Sequence, residues 1–101
     1  MIEREIKIGG QRVRYREGGR PEGRAAVFWH GLGDRSGLSI GEVAPLIGLR
    51  VVAIDAPGFG DSPPLPEAGD YRLSSLAELA ARLIATLGLD RPVWLGESWG
   101  G

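Results

Sequence analysis

The chain has no cysteine, one lysine, one histidine and one methionine among its 101 residues. Without thiols there is no disulfide and no cysteine-ligated metal, which fits a reducing compartment, and a cytoplasmic location is expected. No apolar run approaches the ~20 residues needed to span a bilayer. The opening Ile2-Glu3-Arg4-Glu5 carries charges of both signs, unlike a secretory leader. An excess of one charge is also missing: 12 basic against 13 acidic residues leave a net charge of −1. That excludes a basic field for nucleic acid and a polybasic membrane patch. What remains is ordinary for a globular chain, 43% apolar and 25% charged. Arginine replaces lysine almost everywhere, and with 17 glycines and 7 prolines this reads as a GC-rich coding preference. A chain of this length is at most one domain, burying roughly two thirds of its extended surface.

Hydrophobic period separates two kinds of strand. Ile2 to Ile8 alternates apolar and charged residues, as a half-buried strand does, and Val13 and Tyr15 alternate again beyond Gly9-Gly10. The two glycines supply the positive φ angles of a tight hairpin turn. By contrast Ala25 to Trp29, Val51 to Ile54 and Pro92 to Leu95 are continuously apolar, which predicts central strands covered on both faces. Leu38 to Ile47 is a short helical candidate interrupted by Gly41 and Pro45. The main helix is expected from Ser75, with Ser75 and Glu78 spaced as a capping box. Its stripe is Leu76, Leu79, Ala80, Leu83, Ile84 and Leu87, and Gly88 is placed to end it. The expected class is therefore α/β, a mixed sheet with an antiparallel N-terminal hairpin followed by parallel strands with flanking helices.

Three motifs follow the three buried strands. They are His30-Gly31-Leu32-Gly33, then Asp55-Ala56-Pro57-Gly58-Phe59-Gly60-Asp61-Ser62, then Gly96-Glu97-Ser98-Trp99-Gly100-Gly101. The last is a Gly-x-Ser-x-Gly after a strand, the pattern of a nucleophile elbow, where a sharp strand-to-helix turn lifts one hydroxyl clear of the sheet. A lone Gly-x-Ser-x-Gly says little; three such motifs in order, each after an apolar strand, say much more. On these residues the chain resembles the N-terminal portion of an α/β-hydrolase, through the nucleophile elbow. That resemblance implies residues 1–101 of a single, truncated α/β-hydrolase domain.

The resemblance implies Ser98 as the nucleophile of an esterase-like acyl transfer. It implies an oxyanion hole formed by the backbone N–H groups of Leu32 and Trp99, with His30, Gly31, Gly96 and Gly100 supporting the loop and the elbow. His30 is the sole histidine but precedes Ser98, whereas the family order is Ser, then acid, then His, so a structural role is expected for it. Glu97 is expected to be solvated or locally bonded. Asp55 and Asp61 read as turn formers; Trp29, Trp94 and Phe59 read as core or pocket wall. The acid and base are expected beyond residue 101, so the piece alone should be inactive, completed by a further C-terminal segment or a second chain.

The expected substrate is a small-molecule ester or amide, with no cofactor, no metal, no nucleic acid and no membrane partner. A proline-iminopeptidase-like peptidase and a non-catalytic binding module of the same fold are the alternatives. A dinucleotide-binding unit is disfavoured, because the glycines at 31, 33 and 37 miss the G-x-G-x-x-G spacing. An epoxide hydrolase or dehalogenase is disfavoured too, since it would need Asp where Ser98 stands.

Overall fold

A computed structural model describes residues 2–31, 48–67 and 71–101. The helix expected over 38–47 lies outside the described residues. Among the described residues the strands are β1 (Ile2–Ile8), β2 (Gln11–Gly19), β3 (Arg24–Trp29), β4 (Leu49–Ile54) and β5 (Val93–Gly96), with helix α1 (Leu73–Thr86) between β4 and β5. They form one sheet in the order β1-β2-β4-β3-β5. The pairs β1·β2 and β2·β4 are antiparallel, while β3 is parallel to both β4 and β5. This is the mixed α/β sheet expected from the sequence, antiparallel at its start and parallel inside.

The hairpin turns at Gly9 and Gly10, whose φ angles of +57° and +85° suit a two-residue primed turn. Strand β1 is less buried than its alternation predicts. Ile8 is in the core and Ile6 packs against it, but Ile2 is 59% exposed. Among the described residues β1 is an edge strand that pairs only with β2, and α1 packs against it where Ile8 joins Ala80 and Leu83 in the core cluster. Its solvent side carries cross-strand ion pairs, Glu3 with Arg16 at 3.2 Å and Glu5 with Arg14 at 3.8 Å. Such charges add little stability but discourage edge-to-edge association. Strand β2 runs on through Gly18 and Gly19, because they pair with Val51 and Arg50 of β4.

The continuous apolar strands β3 and β4 are central, as expected, whereas β5 lies at the sheet edge among the described residues. Val27, Val52 and Ile54 face the cluster that α1 covers through Ala80 and Leu83, while Ala26, Val51 and Ala53 form a second cluster. The register, Ala26 opposite Val51 and Val27 opposite Val52, puts each set on its own face. Tyr15 joins the first cluster, and burial, then the Glu17 carboxylate, push its phenol above the usual tyrosine range.

Helix α1 keeps the expected stripe but not the expected start. It begins at Leu73 with Arg72 as N-cap, the Arg72 side chain makes no capping hydrogen bond, and Leu76 N–H already reaches Arg72 O at 3.0 Å. Ser75 therefore lies inside the first turn, where its hydroxyl cannot serve as a cap. The C-terminus ends as the sequence indicates. Gly88 sits at φ +66°, its N–H bonds Ala85 O and the Leu89 N–H bonds Ile84 O, each at 3.1 Å. These are the two bonds of a Schellman motif, with Leu89 buried beyond it. Among the described residues no helix is long and apolar enough to cross a membrane.

Candidate active site

Trp29, the last residue of β3, pairs with Ile54 of β4 and Gly96 of β5. The three motifs therefore leave adjacent strand ends side by side. Open α/β sheets bind their ligands at such carboxyl ends.

Ser98 is held at φ +56°, a left-handed conformation unusual for a residue with a side chain. Such strain costs on the order of 1–3 kcal/mol and persists only where the surroundings impose it. Here both sides do. Glu97, extended at φ −114° and ψ 123°, donates its N–H to Trp29 O at 3.1 Å, so the strand is anchored up to the residue before the serine. Ser98–Gly100 then form one 3-10 turn, closed by Gly100 N–H to Glu97 O and Gly101 N–H to Ser98 O, both 3.0 Å. A Cβ on Gly100 would overlap the Trp29 carbonyl, and one on Gly96 would overlap the Gly100 carbonyl. Only glycine fits at either flank, and Ser98 is left exposed. Trp99 heads the same turn, at the end where helical amides lack carbonyls behind them.

The second motif is a pair of turns. Ala56-Pro57-Gly58-Phe59 closes through Phe59 N–H to Ala56 O at 2.8 Å, with Gly58 at φ +84°, and Ser62 N–H returns to Phe59 O at 3.0 Å. The expectation for Asp55 holds: its Oδ2 accepts the Asp61 N–H at 3.0 Å. Ser62 ties the turn to the hairpin, its hydroxyl donating to Asp55 O at 2.6 Å and accepting Arg14 N–H at 2.8 Å.

His30 locks the first motif to the second. Its Nε2 accepts the Ala56 N–H at 3.0 Å, so Nδ1 carries the hydrogen donated to Gly31 O at 2.8 Å. Fully buried and engaged at both nitrogens, the ring has no lone pair for a substrate. Glu97 is exposed, as expected, but its Oε1 also accepts the Gly31 N–H at 3.3 Å, 66 residues away in sequence. Nothing in the sequence signals that bond, because it depends on β3 and β5 being neighbours. Leu32, the expected second oxyanion donor, lies outside the described residues.

An aromatic row lines the elbow. Trp29 stacks on Trp94 at 5.8 Å and meets Trp99 edge-on at 6.0 Å, and Phe59 sits 6.0 Å from Trp99 and 5.2 Å from His30. Trp94 Nε1 donates to Gly100 O at 2.8 Å, bracing the turn. A cavity of about 210 Å³ opens between α1 and the elbow, lined by Leu73, Leu76, Trp29, Trp94, Trp99 and Gly100. Ser98 does not line it. Strand β5 is only partly covered, with Trp94 40% exposed, because among the described residues it pairs with β3 alone. Among the described residues no three His, Cys, Asp or Glu side chains gather as metal ligands.

Residues 26–101 match the model of the alpha/beta hydrolase fold. The chain belongs to the α/β-hydrolase family. A porcine relative of this α/β-hydrolase, bifunctional epoxide hydrolase 2 of Sus scrofa, is 39% identical over 54 residues, 54% of this chain and 10% of its own. Epoxide hydrolase VrEH1 from Vigna radiata superposes with a TM-score of 0.87 at 26% identity, over 98% of this chain and 32% of that one. The thioesterase domain of the curacin biosynthetic pathway gives 0.82 at 30% identity, over 99% and 38%. The α/β-hydrolase chain thus spans about a third of the length of the structures it matches.

Proposed function

We propose that this chain is the nucleophile-bearing, N-terminal part of a single α/β-hydrolase domain, in a serine hydrolase that cleaves esters through an acyl-enzyme. The observation that carries this is the strained, exposed Ser98 between two glycines that no other residue can replace, at the strand end beside the His30–Gly31 turn. Ser98 Oγ attacks the acyl carbon, and the alcohol leaves with a proton. Water then hydrolyses the Ser98 ester and frees the acid. The Trp99 N–H at the head of the 3-10 turn and the Leu32 N–H hold the oxyanion; one such donor is typically worth about 3 kcal/mol. The reaction needs a base to take the serine proton. His30 is bonded at both nitrogens, so a second histidine and an acid outside these residues must supply that relay. Gly96 and Gly100 keep the elbow tight, and His30 and Gly31 shape the loop.

Two matched relatives are named for epoxide opening, and chemistry separates that reaction from this site. A carboxylate that opens an epoxide forms an ester, which water can cleave. A serine would form an ether, which it cannot. The thioesterase likeness is compatible with Ser98. A peptidase of the proline-iminopeptidase kind shares the serine chemistry and differs only in the leaving group.

The test uses the full-length natural protein, a fluorophosphonate probe, p-nitrophenyl acetate and an aryl epoxide. Labelling at Ser98, ester turnover lost in Ser98→Ala and no epoxide opening are expected. Labelling that persists in Ser98→Ala, or epoxide opening without ester turnover, would overturn the proposal. Proline p-nitroanilide cleaved faster than the ester would transfer it to the peptidase.

A further inference from the structure

We propose that Glu97 is a positioning residue for the Ser98 reaction, its carboxylate clamping the His30–Gly31 turn to the nucleophile elbow. The role rests on the serine-hydrolase reading above. Gly31 is buried, and its N–H donates to Glu97 Oε1 at 3.3 Å. The two motifs also touch: a Cβ placed on Gly31 would stand 3.0 Å from that carboxylate oxygen and 3.3 Å from Ser98 Cβ. The turn is therefore held on two sides. His30 ties it to Ala56, and Glu97 ties it to the residue before the nucleophile.

Among the described residues, removing the Glu97 acceptor leaves the Gly31 N–H without its protein partner and the His30–Gly31 segment tied to Ala56 through His30. A buried donor that loses its partner shifts toward water or toward a new acceptor. The nearest side chain on the elbow is Ser98 itself. Glu97 also fixes which amide of the turn is available to substrate. Because the Gly31 N–H is occupied, the loop's contribution to an oxyanion must come from a later amide. The clamp requires an acceptor oxygen rather than a negative charge, and a negative charge beside a growing oxyanion is a disadvantage. An amide oxygen at position 97 should therefore serve as well.

The experiment measures p-nitrophenyl acetate kinetics in the full-length natural protein for Ser98→Ala, Glu97→Ala, Glu97→Gln and Glu97→Asp. Glu97→Gln is expected to keep kcat within about 3-fold of the parent. Glu97→Ala should lose about 10-fold in kcat, with KM within about 2-fold and a modestly lowered urea midpoint, since losing one bond to a charged group corresponds to roughly a tenfold change. Glu97→Asp keeps the charge but is one methylene short of Gly31, and should be as slow as Glu97→Ala. It serves as the test if the alanine variant does not fold. A parental kcat in Glu97→Ala or Glu97→Asp overturns the clamp, and so does a Glu97→Gln as slow as alanine, which would assign the effect to charge. Turnover surviving in Ser98→Ala, or a parent protein that neither turns over nor takes a fluorophosphonate label, overturns the serine reading itself. A dead Ser98→Ala beside a parental Glu97→Ala removes only the role of Glu97.

Discussion

Ser98→Gly and Ser98→Ala delete the same hydroxyl, yet they should differ in stability, because only alanine keeps a Cβ at φ +56°. A left-handed residue with a side chain costs roughly 1–2 kcal/mol. Glycine gives back part of that through the extra freedom of its unfolded chain, roughly 0.4–1 kcal/mol. Ser98 is exposed, so neither substitution loses packing. The glycine variant should therefore be the more stable by about 0.5–1 kcal/mol. Urea unfolding of the full-length protein, followed by far-UV circular dichroism, measures this difference. The exposed Ser74 within α1 is the internal control, and there the order should reverse, alanine exceeding glycine by about 1 kcal/mol. Both Ser98 variants should lose ester turnover to background. If alanine at position 98 matches or exceeds glycine, the elbow is not strained and the argument from its geometry fails.

Three further outcomes are expected. Gly100→Ala drives a Cβ into the Trp29 carbonyl, so β5 or the turn must shift; loss of fluorophosphonate labelling at Ser98 is the readout, and parental labelling contradicts the packing described. Leu83→Ala removes a side chain only 1% exposed and should cost about 2–5 kcal/mol in urea titration, with KM unchanged. Tyr15 titrates above its ordinary value in the folded chain, so its neutral form is favoured there. Its contribution is complete below about pH 10 and is lost as pH rises through the folded value. Tyr15→Phe should flatten that alkaline decline, which a urea series across pH would reveal.

Much of this architecture is readable from local chemistry. The change from alternating to continuous apolar residues separates the hairpin from β3 and β4, since exposure on one face or none dictates the pattern. The glycines at 9, 10 and 88 fall where a positive φ is required, and the three motifs fall at strand ends. What escapes is whatever depends on which strands become neighbours. The order β2-β4-β3-β5 is set by pairing across the sheet, and no single segment encodes it. The Glu97–Gly31 bond follows from that order. The start of α1 was misplaced for a different reason. Ser75 and Glu78 carry the spacing of a cap, but the apolar face begins with Leu73, ahead of them, and the backbone bond from Leu76 to Arg72 takes precedence.

All three tryptophans of the chain, Trp29, Trp94 and Trp99, belong to the row beside the elbow. Among the described residues the indole N–H of Trp99 is buried without a hydrogen-bond partner, whereas that of Trp94 is bonded to Gly100. Ultraviolet excitation of these residues therefore reports on one corner of the molecule, free of background from distant indoles. If Ser98 is acylated as proposed, the expected readout there is a change in emission with no dye attached.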